Sequence, residues 1–482
     1  MLDVRPIFFI IGILLVTLAA GMGVPALTDL IAGQSDWRVF AGSAGACLFI
    51  GVGLILTMRT ETMRIGVRQA FLLTTVSWLV IALFGALPFA LADLNLSYTD
   101  AVFEAMSGIT TTGATVISGL ERAPPGILIW RAILQWLGGI GIIVMAVSIL
   151  PLLQVGGMQL FRMESSEKGE KALPRVAQVA TIIGLIYAGL TALCAIGYWV
   201  AGMRGFDAIA HAMTTVATGG FSTADASVGY FNSPAIEWIA VVFMLAGSMP
   251  FVLYIQAVRG NAAPLFRDPQ VRTFLAIVLV CIALLVVWKV ATGREALGPA
   301  IRLVTFNLVS IMTGTGYATS DFSQWGEFAM TVFFFAMFVG GCAGSTTCGL
   351  KVFRLQVLYA STVAQVGKLL QPHGVFVPHF NRKPIPESVS ESVLSFFFIY
   401  VISFGALAVG LGALGLDFVT AVSGAASAIA NVGPGLGNVI GPAGTYASLP
   451  DAAKWLLSFG MLLGRLELFT VLILLTPAFW RN

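Results

Sequence analysis

Asp100-Ala-Val-Phe-Glu104-Ala-Met-Ser-Gly-Ile-Thr-Thr-Thr-Gly113 and Asp207-Ala-Ile-Ala-His211-Ala-Met-Thr-Thr-Val-Ala-Thr-Gly-Gly220 read as two copies of one segment. A weaker third copy puts Asn307 where the first two carry Glu104 and His211, and Thr315-Gly-Tyr-Ala-Thr-Ser-Asp321 echoes Gly219-Gly-Phe-Ser-Thr-Ala-Asp225. A fourth, with longer spacing, runs from Asp417 to Gly435. Each copy ends in a short glycine-centred stretch between long apolar runs: Thr110-Thr111-Thr112-Gly113, Ala217-Thr218-Gly219-Gly220, Thr313-Gly314-Thr315-Gly316 and Val432-Gly433-Pro434-Gly435. Small residues let backbone carbonyls converge, and four converging loops can replace the water shell of a bare cation. The alternative is tight helix packing through small residues, which suits Gly138-Gly139-Ile140-Gly141 better than it suits loops beside Asp and Thr.

The flanking sequence is that of a membrane protein. Of 482 residues, 58% are hydrophobic and 10% charged, against about a quarter charged in a soluble domain. Ten apolar spans are readable, near 6–30, 38–58, 70–92, 126–153, 177–202, 234–258, 273–292, 327–353, 389–412 and 453–479. The first is too long for a signal core and is read as a retained helix. No polar stretch is long enough for a soluble domain, so any soluble regulatory part is expected on another chain.

With the amino terminus inside, most of the 26 basic residues fall on the cytoplasmic side, among them Arg59, Arg64, Arg68, Arg162, Lys168, Lys171, Arg259, Arg267, Lys351, Arg354, Arg382 and Lys383. This bias predicts that both termini are cytoplasmic. Acids such as Asp93, Asp100, Glu121, Asp207, Asp225, Glu237 and Asp321 gather outside. They read either as a cation-concentrating funnel or as ordinary solvated loop charges.

A stretch such as 100–110 is too short to cross a bilayer of ~30 Å. It can enter partway as a helix if the returning strand lines a cavity. Its carboxyl end then turns the negative end of the helix dipole inward, which favours a cation. The organisation expected is an all-α membrane protein. Two extra helices (1–68) precede four units of helix, re-entrant loop and helix, at 69–175, 176–271, 272–388 and 389–482.

The eighth span is interrupted by Gly340-Gly341-Cys342-Ala343-Gly344-Ser345-Thr346-Thr347-Cys348-Gly349, a poor continuous helix. It reads as a mobile gate at membrane depth, or as a kink filled by neighbouring helices. Arg465 and Glu467 lie in the last span, where ionisable residues are costly and usually functional. Two residues apart, they do not face each other on a helix. Arg465 could hold the Gly340–Gly349 loop through carbonyl hydrogen bonds, act as an electrostatic barrier below the filter, or snorkel to the cytoplasm.

The five cysteines read as small packing residues rather than metal or disulfide sites. His211 reads as a packing residue of its re-entrant helix, and His373 and His379 lack ligand spacing. No nucleophile–base set, phosphate-binding loop or dinucleotide fingerprint is present, so neither an enzyme nor a cofactor is expected.

Several motifs resemble the Trk/Ktr/HKT superfamily of potassium transporters, in its bacterial TrkH/TrkG-type branch. They are Thr110–Gly113, Ala217–Phe221, Asn431–Gly437, Gln135-Trp-Leu-Gly-Gly-Ile-Gly141, Gly156-Gly-Met-Gln-Leu-Phe161, Gly340–Thr347 and Gly464-Arg-Leu-Glu-Leu-Phe469. The resemblance covers nearly the whole chain. It implies a pseudo-fourfold central pore, a homodimer in the bacterial inner membrane, and gating by a cytoplasmic nucleotide-binding subunit of the TrkA type. It equates the filter glycines with Gly113, Gly220, Gly316 and Gly435, and ties glycine in the first loop to potassium preference. The gate loop maps to Gly340–Gly349 and the arginine beneath to Arg465.

On this reading Gly314 and Gly433 stand two residues before their filter glycines, where the first loops carry Thr111 and Thr218. The function expected is potassium uptake through a carbonyl-lined filter. The alternatives are a less selective potassium/sodium pathway, a secondary transporter of an organic solute, and a scaffold without transport. The organic-solute reading predicts inverted halves, whereas these repeats keep one orientation. The loops 155–176 and 354–388 are the basic candidates for the regulatory contact.

Overall fold

The computed structural model describes residues 3–59, 66–148, 172–381 and 383–481. The Gly156–Phe161 motif, most of the loop 155–176, and Arg64, Arg162, Lys168, Lys171 and Arg382 lie outside the described residues. Apart from one two-stranded hairpin pairing His379–Phe380 with Lys383–Pro384, the described elements are helical.

Seven described helices are long and apolar enough to cross a membrane: Arg5–Ile31, Trp37–Thr57, Val67–Leu91, Pro125–Ala146, Gln178–Val200, Pro269–Ala291 and Glu387–Ala413. The other three expected spans are broken. The stretch 234–258 bends by 98° between Pro234–Gly247 and Phe251–Val258. The last span bends by 110° between Asp451–Arg465 and Phe469–Leu475. The eighth stops at Phe338 and resumes as the helix Val352–Leu370. Each break follows its local sequence. Ser248-Met249-Pro250 follows Gly247, and Pro250 has no amide hydrogen to give. Glu467 and Leu468 adopt positive φ angles of 63° and 41°, and the glycine-rich 340–349 run cannot sustain a helix.

Four shorter helices, Tyr98–Ile109, Gly205–Val216, Leu297–Met312 and Phe418–Ala430, each precede one glycine stretch. Two start on side-chain caps. Ser97 accepts from the Asp100 amide at 3.1 Å while the Ser97 amide donates to Asp100, and Asp417 accepts from the Thr420 amide at 3.0 Å. Hydrogen bonds from Thr420 hold the Asp417 carboxyl below its ordinary range. Towards their carboxyl ends the four helices are buried, as membrane insertion requires of re-entrant segments.

The two extra helices cross where glycines meet. A β-carbon on Gly12 would lie 2.8 Å from the Gly51 carbonyl oxygen, and one on Gly51 would lie 2.9 Å from that of Gly12. Contact this close is how helices associate where lipid replaces water. Gly51→Leu is expected to push this pair apart and to cost about 1–3 kcal/mol, read as a lowered melting temperature in detergent, while Gly53→Leu, with open space at its β-carbon, leaves the melting temperature unchanged.

Candidate functional site: a ring of four loops

All four short helices end the same way. Thr111, Thr218, Gly314 and Asn431 take left-handed φ angles of 53°, 50°, 66° and 53°. The amide of the next residue then reaches back five positions: Thr112 to Ser107, Gly219 to Thr214, Thr315 to Ser310 and Val432 to Ser427, at 2.8–3.0 Å. This is the Schellman closure of a helix, normally made with glycine or asparagine. Loops three and four obey that preference. Loops one and two place a β-branched threonine there, a strained choice of the kind that clusters at functional sites.

Two residues further on, Gly113, Gly220, Gly316 and Gly433 again have positive φ, between 77° and 108°. Each faces the carbonyl of the next loop. A β-carbon on Gly113 would fall closer than 3.0 Å to the Gly219 oxygen, one on Gly220 to that of Thr315, one on Gly316 to that of Val432, and one on Gly433 to that of Thr112. The contacts close into a ring, and a side chain at any of these four places would have to displace the carbonyl of a neighbouring loop.

The ring corrects one assignment. Gly433, not Gly435, is the fourth ring glycine, and Asn431, not Gly433, stands where the other loops carry Thr111, Thr218 and Gly314. Gly435 lies past the ring, its amide bonded to the Ile440 carbonyl at 2.7 Å, its α-carbon against the Ile440 side chain. The fourth copy reads as longer for two reasons: it is counted to Gly435 rather than Gly433, and it is counted from Asp417, which caps its helix as Ser97 does and does not stand where Asp100 does. Pro434 lines the outer cavity above the ring, of about 180 Å³, together with Gly113, Gly220, Gly316 and Gly433.

Side chains behind the ring latch each returning strand. Glu104 accepts from the Val116 amide at 2.9 Å and from Thr115, and pairs with Arg131 at 2.8 Å, both ions being buried. His211 bonds Ser222 Oγ at 3.0 Å. Asn307 accepts from the Thr319 amide at 3.1 Å. In the fourth repeat that position is Gly424, and the neighbouring Ser423 accepts from the Leu436 amide at 2.9 Å. The equivalence of Glu104, His211 and Asn307 read from sequence is thus one of role as well as position.

The longer helices carry glycines that admit the ends of the short ones. β-Carbons on Gly138, Gly247 and Gly464 would collide with the carbonyls of Ile109, Val216 and Ile429, each two residues before a left-handed residue. The Gly138 motif is a site of tight packing through small residues, as its sequence suggests, and that packing seats the first loop.

Several of the acids read as lying outside are held by partners. Asp225 is the one that lines the outer cavity, and its carboxylate accepts from the Gly119 and Leu120 amides at 2.8 and 3.0 Å. Asp100 pairs with Lys454, Asp207 with Arg204 and Glu237 with Arg302.

The Gly340–Gly349 segment lies directly beneath the ring. Thr218 donates to Thr346 Oγ1 at 3.1 Å, and Thr346 bonds the Gly247 carbonyl. Its backbone is satisfied by the helices around it: Cys342 N donates to Ser248 O and Phe251 N to Gly344 O at the bend after Gly247, and Ala343 N donates to Gln270 Oε1 on Pro269–Ala291. Ser345 and Thr347 join by hydroxyls at 2.8 Å, the Gly341 amide donates to Thr347 Oγ1, and Gly340 N and Leu350 N bind Leu350 O and Phe338 O. Gly349 takes a positive φ against Gly340.

Arg465 is 1% exposed. It donates to the Thr346 carbonyl at 3.1 Å and the Gly138 carbonyl at 2.7 Å, and lies 2.7 Å from Cys348 Sγ. Snorkelling is excluded by this burial, and the carbonyl-holding reading is the one that the geometry supports. The bend after Arg465 carries Glu467 away to pair with buried Arg354. Lys351 points at the Thr347 carbonyl.

Long apolar helices, four short helices that do not cross, and a ring of loops whose glycines meet one another's carbonyls define a multi-pass membrane protein built around a central ring. The TrkH family, described as cation transport proteins, matches residues 38–481. The Trk system potassium uptake protein TrkI of Halomonas elongata is 47% identical over 99% of this chain and 97% of its own length. TrkH of Escherichia coli is 40% identical over 99% of both chains. The crystal structure of the potassium transporter TrkH from Vibrio parahaemolyticus superposes with a TM-score of 0.93 at 38% identity, covering both chains fully. The chain belongs to the TrkH family.

Removing Glu104 leaves Arg131 charged, buried and without its carboxylate. Glu104→Ala is expected to cost about 3–5 kcal/mol, and Glu104→Gln, which keeps an acceptor for Val116 N, distinctly less. Thermal unfolding of the purified protein in detergent orders the two.

Proposed function

We propose that this chain is the potassium-conducting subunit of a Trk-type uptake system in the bacterial inner membrane. The observation that carries this is the closed ring in which Gly113, Gly220, Gly316 and Gly433 each face a carbonyl of the next loop. Four helix carboxyl ends surround it and add negative potential. A potassium ion sheds water against the carbonyls of Thr112, Gly219, Thr315 and Val432 and their neighbours, with Thr111, Thr218, Gly314 and Asn431 forming the inner turn. The names of the full-length relatives support potassium as the cargo.

Below the filter, Gly340–Gly349 acts as the gate and Arg465 as its latch. Opening requires the Thr218–Thr346 and Arg465–Thr346 bonds to part. Both termini are cytoplasmic, the chain works as a homodimer, and a cytoplasmic nucleotide-binding subunit of the TrkA type drives the gate through the loops 155–176 or 354–388. The repeat limits proposed are 69–175, 176–271, 272–388 and 389–482, after two extra helices within 1–68.

Rubidium uptake into proteoliposomes tests the reading, with sodium as competitor. Gly113→Ser is expected to weaken discrimination against sodium by about tenfold or more, a shift of roughly 1.4 kcal/mol or above. An unchanged ratio in a folded, active Gly113→Ser protein removes the filter assignment. Arg465→Ala is expected to raise basal rubidium flux without the regulatory partner; wild-type basal flux in that variant removes the latch.

A further inference from the structure

Loops one and three share a detail that loop two lacks. Thr110 and Thr112 join by their hydroxyls at 2.7 Å, and Thr313 and Thr315 do the same at 2.7 Å. The equivalent residues of loop two are Ala217 and Gly219, which have no hydroxyl to offer. The space is filled from outside the loop. Gln135, fully buried on the helix Pro125–Ser148, donates through Nε2 to the Gly219 carbonyl at 2.6 Å and accepts from the Phe221 amide through Oε1 at 3.0 Å. A β-carbon on Gly219 would lie closer than 3.0 Å to three atoms of this carboxamide. Gly219 is not among the residues of positive φ, so the amide of Gln135, rather than backbone conformation, is what excludes a side chain there.

The clamp is one-sided. Among the described residues, Gly219 is the one of the four ring carbonyls with a side-chain donor; Thr112, Thr315 and Val432 have none. One turn earlier on the same helix, Arg131 donates to the Ser222 carbonyl at 2.7 Å, so a single helix face braces both ends of the second loop.

We propose that Gln135 is a specificity-determining positioning residue. It fixes the Gly219 carbonyl at the ring and takes part of its electron density, so that the ring is tuned unequally and its discrimination between potassium and sodium depends on an amide outside the loops. This rests on the filter reading above. A ring held at fixed size rejects the smaller ion only while its carbonyls cannot collapse inward, and a bidentate amide spanning Gly219 and Phe221 resists that collapse in loop two. Loop four, with Ala430 and Val432 at the paired places, also lacks the threonine pair and is tied instead by Asn431 to Thr112 and the Met461 carbonyl.

The test is a compensation series read as sodium inhibition of rubidium uptake in proteoliposomes. Gln135→Leu is expected to keep rubidium uptake while losing discrimination against sodium by about fivefold to tenfold, the worth of one or two hydrogen bonds. Gly219→Thr in the native background is expected to lose uptake, because its β-carbon meets Gln135. The triple variant Ala217→Thr/Gly219→Thr/Gln135→Ala rebuilds the hydroxyl pair of loop one and is expected to regain uptake and discrimination relative to both. Gln135→Glu keeps the shape and the acceptor for Phe221, and reports on selectivity should the leucine variant fail to fold. Gly220→Ser runs in parallel. If Gly220→Ser relaxes selectivity while the Gln135 variants keep the native ratio, the role of Gln135 is overturned and the filter stands. If Gly220→Ser also keeps the native ratio, the filter reading itself falls. A triple variant no better than Gly219→Thr overturns the exchange of amide for hydroxyl pair.

Discussion

The molecule depends on one steric constraint: four glycine α-carbons packed against four carbonyls of the neighbouring loops. Gly113 faces Gly219, Gly220 faces Thr315, Gly316 faces Val432 and Gly433 faces Thr112. No loop can shift alone, because each is the wall of the next. The same constraint fixes the short helices, whose Schellman ends set the left-handed residues two positions before the ring. It also fixes the long helices, since Gly138, Gly247 and Gly464 must be bare for the short helices to approach.

Irregular backbone at membrane depth needs partners for its polar groups. Here the breaks satisfy one another. The bend after Gly247 exposes the Gly247 and Ser248 carbonyls, and these receive Thr346 and Cys342 from the interrupted span. The bend after Arg465 lets the guanidinium reach carbonyls on two other elements while Glu467 turns to Arg354. Three departures from straight helices are therefore one assembly beneath the ring.

Pseudo-fourfold backbone does not mean fourfold chemistry. Glu104, His211, Asn307 and Ser423 hold their strands with a carboxylate, an imidazole, an amide and a hydroxyl. Neighbouring loops are joined by unlike links, such as Asn431 to Thr112 at 2.9 Å and Tyr317 to Thr214. Tyr446 and Ser427 both donate to the Gly433 carbonyl at 2.8 Å. A single chain carrying four diverged copies can tune each quarter of a pore independently, which four identical subunits cannot do.

The sequence by itself determined the membrane class, the four short-helix units, the ring glycines of the first three loops, and the break at Gly340–Gly349 with Arg465 as its partner. These rest on local signals: hydropathy over a helix length, internal similarity, and glycine where helices should continue. Only the tertiary structure decided that Gly433 closes the ring, that Gln135 completes the second loop, that Asp100, Asp207 and Glu237 are paired with bases, and that Arg465 grips carbonyls rather than reaching for water. The reason is physical. A positive φ with a neighbour's carbonyl at van der Waals distance is a relation between loops far apart in the chain. In the fourth loop, with glycines at 433, 435 and 437, no local rule distinguishes the one that meets its neighbour.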